Sequence, residues 1–227
     1  MGSRMVAPAL LGVSLLATPS AGLPAQTFEG TVRLRVRELV GEVQAYLKAE
    51  NVRMELMTPM GAVSVIANSA SGPVYLVVPA SQVVMVVTRP AQPADPAAAE
   101  LTETGREDQV AGHRCEVFRS RDPGGGPVLD LCLASGLGTI GAGAGALFDN
   151  PLGPVGLGPP GRSQGAAWVA ELARRRVFPL RASDTTGTPR WEVTRLDRQP
   201  VADTLFSPPA GFQRMELPGR RPARSGP

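Results

Sequence analysis

Residues 31–37 read TVRLRVR, and this stretch sets the pattern for the fold. Val32, Leu34 and Val36 alternate with arginines, so an extended chain presents one aliphatic face and one charged face. The same two-residue period, or a nearly continuous apolar run, recurs at 42–48, 52–57, 62–67, 74–78 and 83–87. Turn-forming residues separate these stretches. The pattern predicts an antiparallel meander of six short strands, the last two covered on both faces.

The second half of the chain is also mainly extended. Further strands are predicted at 100–103, 110–120, 127–134, 178–182, 191–196 and 204–206. One helix is predicted at 164–176, where Ser163 can cap the start, Trp168, Val169, Leu172 and Ala173 form an apolar stripe, and arginines suit the C-terminal dipole. Residues 89–99 are typical of a linker, and 136–165 of a Gly/Pro-rich loop or lid. Residues 218–227 are expected to be a disordered tail.

The N-terminal residues predict export. Arg4 precedes an apolar stretch at 5–17, followed by small residues with candidate cleavage sites after Ala21 or Ala25. This is typical of a signal peptide over 1–25, and the apolar stretch is too short to span a membrane. No later stretch is long and apolar enough to cross one. We expect a secreted or periplasmic protein, soluble after cleavage, with one domain over 27–217.

Export places the two cysteines in an oxidising compartment, which predicts a disulfide between Cys115 and Cys132. Turn residues at 122–125 separate the two strands that carry them. In a hairpin folded about Pro123 and Gly124, paired residue numbers sum to 247. Cys115 would then lie opposite Cys132, and His113 opposite Ala134. The rival interpretation, a metal or redox pair, lacks CxxC spacing and further ligands.

Composition and motifs argue against several function classes. The 227 residues are 43% hydrophobic and 4% aromatic, with a net charge of +3. No basic stripe with aromatic platforms is present, so nucleic-acid binding is not expected. His113 is the single histidine, and the carboxylates share no acid/base spacing. We therefore predict a protein that is not an enzyme, with no catalytic residues, metal site or cofactor.

Several short motifs resemble those of a known group of exported proteins. They are FEG at 28–30, YLK at 46–48, VRME at 52–55, VYLVVP at 74–79, VAG at 110–112 before Cys115, FPL at 178–180, WEVT at 191–194 and LFSPPAGF at 205–212. The chain resembles the lipoprotein-carrier-like superfamily, which includes periplasmic lipoprotein carriers and a lipid-sensing domain of an envelope-stress regulator. Within it, the chain is most similar to the secreted domain-of-unknown-function family number 4412. The Gly/Pro-rich segment at 136–165 departs from the helical lid usual in this group.

The resemblance implies a strongly curved antiparallel sheet, an unclosed half-barrel, with one or two helices across its concave face. The apolar inner face of such a sheet needs a plug or a ligand. The candidate lining residues are Val32, Leu34, Val36, Val52, Met54, Leu56, Val63, Val65, Leu76, Trp168 and Leu172. Two functions stay open: a module that binds a lipid or lipidated chain, or an envelope structural or protein-interaction domain whose cavity is self-filled and holds no ligand. An open volume beneath the helix would favour the ligand, and a filled one the protein partner.

Overall fold

The computed structural model describes residues 26–37, 39–58, 61–68, 72–88, 99–121, 127–141, 144 and 165–217. The strands are β1 (Gly30–Val36), β2 (Glu42–Lys48), β3 (Asn51–Thr58), β4 (Gly61–Ala67), β5 (Val74–Val78), β6 (Val83–Val87), β7 (Glu100–Val110), β8 (His113–Arg121), β9 (Leu129–Ser135), β10 (Val177–Ser183), β11 (Pro189–Arg198) and β12 (Gln213–Leu217). The helix is α1 (Gly165–Arg175). The predicted signal peptide, most of the linker and of the 136–165 loop, the 122–125 turn and the tail lie outside the described residues.

The predicted meander is confirmed in β1 to β6. Each of these strands pairs antiparallel with the next. Their side chains alternate between the two faces of the sheet, as the sequence period requires. We call the side that bears Val32, Leu34 and Val36 the inner face, and the opposite side the outer face.

A second meander, β7 to β11, completes most of the sheet. Its strands also pair in chain order, and β11 then pairs with β1, which joins the two halves. The predicted strand at 110–120 is wrong at its start, because Val110 ends β7 and His113 begins β8. Ala111 and Gly112 turn the chain between them with φ values of 50° and 80°. Positive φ at two central residues characterises the tight turn that suits strand twist.

The described sheet has twelve strands and is open, with β7 at one edge and β12 at the other. It is antiparallel except that β12 runs parallel to β6, which the sequence did not predict. The predicted strand at 204–206 is wrong. Asp203–Phe206 forms a 3-10 turn, which places Phe206 against the sheet rather than continuing a ladder.

Apolar side chains form one cluster on each face. The larger, inner cluster joins buried residues of β1 to β5 and β7 to β11 with Trp168 and Leu172 of α1, and Val87 of β6 packs against it. The smaller, outer cluster consists of Ile66, Val77, Val84, Val86, Val201 and Phe206. Because β5 and β6 contribute to both clusters, the prediction that they are covered on both faces is confirmed.

Candidate functional site

The residues predicted to line a cavity lie together in the inner cluster. Ten of them are between 0% and 6% exposed, and Leu76 is partly buried against the same cluster. The ten are Val32, Leu34, Val36, Val52, Met54, Leu56, Val63, Val65, Trp168 and Leu172. Alternation along neighbouring strands brings the eight strand residues to one face, and α1 supplies Trp168 and Leu172. Their side chains therefore pack as a core, and their contact with a ligand stays a prediction.

Helix α1 lies beside β7 and β10 and buries Trp168 and Leu172. A cavity of about 20 Å³ remains where Trp168 meets the strands; its lining includes Leu129, Leu131 and Trp191. That volume is about one water molecule in size. The cavity beside Trp168 is thus far smaller than a typical ligand site.

The buried side of α1 differs from the apolar stripe predicted from the sequence. Glu171 is 4% exposed, whereas Ala173, expected in the apolar stripe, is exposed. Burial raises the pKa of Glu171, but hydrogen bonds from Arg174 and Arg175 outweigh it, and the net pKa lies below the usual range. The buried carboxylate therefore stays ionised and holds both arginines.

Arg175 fastens α1 to the sheet. Its Nε lies 2.5 Å from Oε1 of Glu171, and its Nη2 donates to the Leu101 carbonyl oxygen at 3.2 Å. Its guanidinium also lies 5.1 Å from the centre of the Phe118 ring, a cation–π distance. One side chain thus links the helix to β7 and β8.

The predicted disulfide is present between Cys115 and Cys132, with Cα atoms 5.4 Å apart. Its predicted register is wrong. Paired residues of β8 and β9 sum to 249, so Cys132 lies opposite Val117 and the disulfide is diagonal. His113 pairs with Val110 of β7 rather than lying opposite Ala134. The hairpin is centred one residue farther along the chain than its turn residues predict.

Two adjoining cavities form what we call the polar trough. The larger, of about 470 Å³, is lined by Glu100, Thr102, Glu103, Thr104, Arg106, Arg119 and Arg121. The smaller, of about 120 Å³, is lined by Arg106, Glu107, Asp108, Val117, Asp130, Cys132, Arg181, Ser183 and Gly187. Arg106 borders both.

The polar trough lies on the outer face. Arg35 of β1 alternates with the inner residue Leu34 and pairs across the sheet with Glu192, which pairs with Arg181. The series of cross-strand partners continues through Cys132 and Val117 to Arg106. Directly paired residues share a face. The trough is therefore opposite the inner cluster.

Asp130 organises the arginines of the trough. Its side chain is 8% exposed and accepts hydrogen bonds from Nε of Arg119, at 2.9 Å, and from Arg106. The hydrogen bond from Arg119 is the main cause that lowers the pKa of Asp130. A guanidinium has five N–H donors, so Arg106 and Arg119 can each hold Asp130 and contact a further group.

Arg181 plays a similar part in the smaller cavity. It contacts Asp108 and lies 3.3 Å from Glu192. The hydrogen bond from Arg181 is the main cause that lowers the pKa of Asp108. The floor of the trough is thus a set of ionised, mutually fixed side chains.

Sequence reasoning missed the polar trough. The available signal was Asp130, a carboxylate between Leu129 and Leu131 in an otherwise apolar strand, because a buried charge needs a partner.

Among the described residues, no group of three or more His, Cys, Asp or Glu side chains is placed to hold a metal ion. Within those same ranges, no helix combines the length and hydropathy that crossing a bilayer requires.

Comparison with known proteins gives a family. No curated protein matches this sequence. One similar solved structure is that of an uncharacterized conserved protein from Thermus thermophilus, with 13% identity over 85% of this chain and 91% of that chain and a TM-score of 0.46. The model of a domain of unknown function, DUF4412, matches residues 28–212, most of the chain. The narrower resemblance seen in the sequence motifs is thus confirmed, and the protein belongs to the DUF4412 family.

Proposed function

We propose that this protein is an exported, non-catalytic domain that binds a protein partner through the polar trough. The observation that carries the proposal is the contrast between the two faces. The inner face is packed by its own side chains, with ten predicted lining residues at most 6% exposed, whereas the outer face bears a cavity of about 470 Å³. A volume of that size is in the range of ligand sites. A disulfide is compatible with an extracellular compartment.

The chemistry of the trough indicates a partner segment that carries charge. Arg106 and Arg119 are fixed by Asp130, so little side-chain entropy is lost when they bind. Arg121 is exposed and forms no ion pair with a described residue. Planar guanidinium groups recognise carboxylates with two parallel hydrogen bonds. We infer that the partner places an acidic side chain or its C-terminal carboxylate opposite these arginines. Glu100 and Glu103 also line the cavity and would repel a partner segment that is acidic throughout.

Site-specific crosslinking in the native host tests this proposal. A photoreactive residue at Thr102, an exposed trough position, should trap a defined partner. Arg121→Glu should reduce the yield about tenfold, because one attraction becomes a repulsion. Arg33→Glu, on an exposed outer position of β1, is the matched control and should not change the yield. An equal yield from all three proteins would contradict the proposal.

The alternative is a hydrophobic ligand held beneath α1. It is favoured by the small size of α1, which has 11 residues against an inner cluster that extends over β1 to β5 and β7 to β11. The wider resemblance to lipoprotein carriers also supports it, because that resemblance implies a strongly curved half-barrel whose concave side is covered by a helix. A lipid or lipidated chain would have to displace part of the inner cluster.

Native mass spectrometry of the exported protein, followed by organic extraction, separates the two functions. A co-purifying lipid-sized mass that is lost in a folded Met54→Lys variant would favour the hydrophobic ligand. A bare mass two daltons below the reduced, cleaved chain would support the protein-binding proposal and would also report signal cleavage and the disulfide. Trp168 and Trp191 both line the small cavity, so their fluorescence would report a ligand that enters there.

A further inference from the structure

The two edges of the open sheet differ in how well they are protected from pairing with another strand. Five of the eleven residues of β7 are charged, its register shifts between Glu103 and Arg106, and Gly105 there has a φ of 70°. Bulges and charges of this kind oppose strand addition. By contrast, β12 pairs with β6 without a register shift, and four of its five residues are exposed.

The backbone of β12 has hydrogen-bonding groups directed outward. Its parallel register begins with the N–H of Gln213, which donates to the Gln82 carbonyl oxygen at 2.9 Å. Alternation then directs the N–H and C=O of Gln213, Met215 and Leu217 toward β6. The same groups of Arg214 and Glu216 point away from β6, toward the edge that no described strand covers. They could bond to a further strand.

The sequence of β12, QRMEL, is complementary to itself when two copies run antiparallel. If the two-fold axis passes between the Met215 residues, Arg214 of each copy lies opposite Glu216 of the other. These are the residues whose backbone groups point outward, so they form the hydrogen-bonded pairs. Met215, which is 47% exposed, meets its equivalent at the closer, non-hydrogen-bonded position.

We propose that this protein forms a two-fold symmetric dimer in which the β12 strands of two copies pair antiparallel. The pairing supplies four backbone hydrogen bonds, two Arg214–Glu216 ion pairs and one contact between Met215 side chains. Arg214 and Glu216 share the outer face, because they pair with Val84 and Val86 of the outer cluster. The interface is isologous and closes on itself. It joins two sheets of twelve strands into one that crosses the dimer.

The dimer is expected to be weak because the paired strands are short. Interfaces well below about 1,200 Å² are typical of transient association. We expect a dissociation constant on the order of 100 μM, close to the concentrations used in sedimentation experiments. Sedimentation equilibrium of the full exported chain from about 10 μM to 1 mM should show a reversible monomer–dimer equilibrium. A monomer throughout that range would overturn the proposal.

Charge reversal tests whether β12 is the interface. Arg214→Glu or Glu216→Arg alone replaces two attractions with two repulsions and should weaken the dimer about tenfold or more. The double variant Arg214→Glu/Glu216→Arg restores complementarity and should return the dissociation constant to within about threefold of the parent value. A dimer that is equally strong in all four proteins would place the interface elsewhere and refute the proposal.

A single added cysteine tests the register. Met215→Cys places a thiol opposite its own equivalent, at the spacing that suits a disulfide, and should crosslink on mild oxidation. Gln213→Cys is the matched control, because Gln213 would lie opposite Leu217 of the second copy and should not crosslink efficiently. Both positions are exposed, and circular dichroism should confirm an unchanged fold. Equal crosslinking of the two variants would contradict this register.

Discussion

Phe206→Ala should destabilise the whole sheet, although Phe206 lies outside every strand. Its side chain is 3% exposed in the outer cluster, where it packs with residues of β4, β5 and β6. The 3-10 turn that carries it is held by Lys48, which bonds to the Val201 carbonyl oxygen at 3.0 Å and to Asp203 at 2.8 Å. The substitution leaves a cavity between this turn and the sheet.

The magnitude follows from the size and burial of the side chain. Removing a buried phenylalanine costs about 3–5 kcal/mol, and the lower end applies where surroundings can relax. The outer cluster has only six buried members, so we expect about 3 kcal/mol. For a domain of this size, 1 kcal/mol corresponds to about 2–4 °C in Tm. The expected fall in Tm is therefore about 6–12 °C.

Tryptophan fluorescence during urea unfolding measures this effect on the other side of the sheet. Both tryptophans, Trp168 and Trp191, belong to the inner cluster. A lower midpoint for Phe206→Ala would show that the outer cluster unfolds together with the inner one. Met57→Ala, at a side chain 64% exposed, is the control and should change stability by less than about 0.5 kcal/mol. Equal midpoints for Phe206→Ala and the parent would refute the reasoning.

Three further perturbations have definite expected outcomes. Asp130→Asn should cost about 1–3 kcal/mol at pH 7. Because the folded pKa of Asp130 is lowered, its stabilisation is present above about pH 4 and is lost as the pH falls through the folded pKa, so the difference between the urea midpoints of parent and variant should shrink as the pH is lowered below about 4. Replacing Cys115 and Cys132 together by serine should cost about 3 kcal/mol without abolishing the fold, and the parent should show no free thiol in a denaturing assay. Arg175→Ala should cost about 1–2 kcal/mol and shift Trp168 emission to longer wavelength; Arg174→Ala, which lacks the contacts with Leu101 and Phe118, should cost less.

The sequence predicted the parts of the fold that depend on local periodicity. In β1 to β3, every second side chain is aliphatic and buried, so the face and the strand are specified together. The C-terminal end of the helix was predicted within one residue, where arginines suit the helix dipole. The partner of Cys115 was also predictable, because two cysteines allow one intramolecular pair.

Features that depend on distant contacts were not predictable. The strand β12 contains no buried residue, and its position comes from pairing with β6, more than a hundred residues earlier in the chain. A strand was predicted at 204–206, whereas the tertiary contact of Phe206 with the outer face selects a 3-10 turn. The polar trough requires β7, β8, β9 and β10 to be adjacent, and no local pattern in any one of them implies that arrangement.

The pairing of β1 with β11 affects how the chain reaches its native state. Gly30 pairs with Arg198, so the first strand lacks one neighbour until β11, more than 150 residues later in the chain, has been synthesised. Such a high contact order predicts folding in milliseconds to seconds rather than microseconds. Until then, the first meander exposes an unpaired edge at β1 and an uncovered aliphatic surface, both of which favour aggregation. A factor that delays collapse, such as a chaperone bound to the nascent chain, should therefore raise the yield of folded protein more than a faster rate of synthesis.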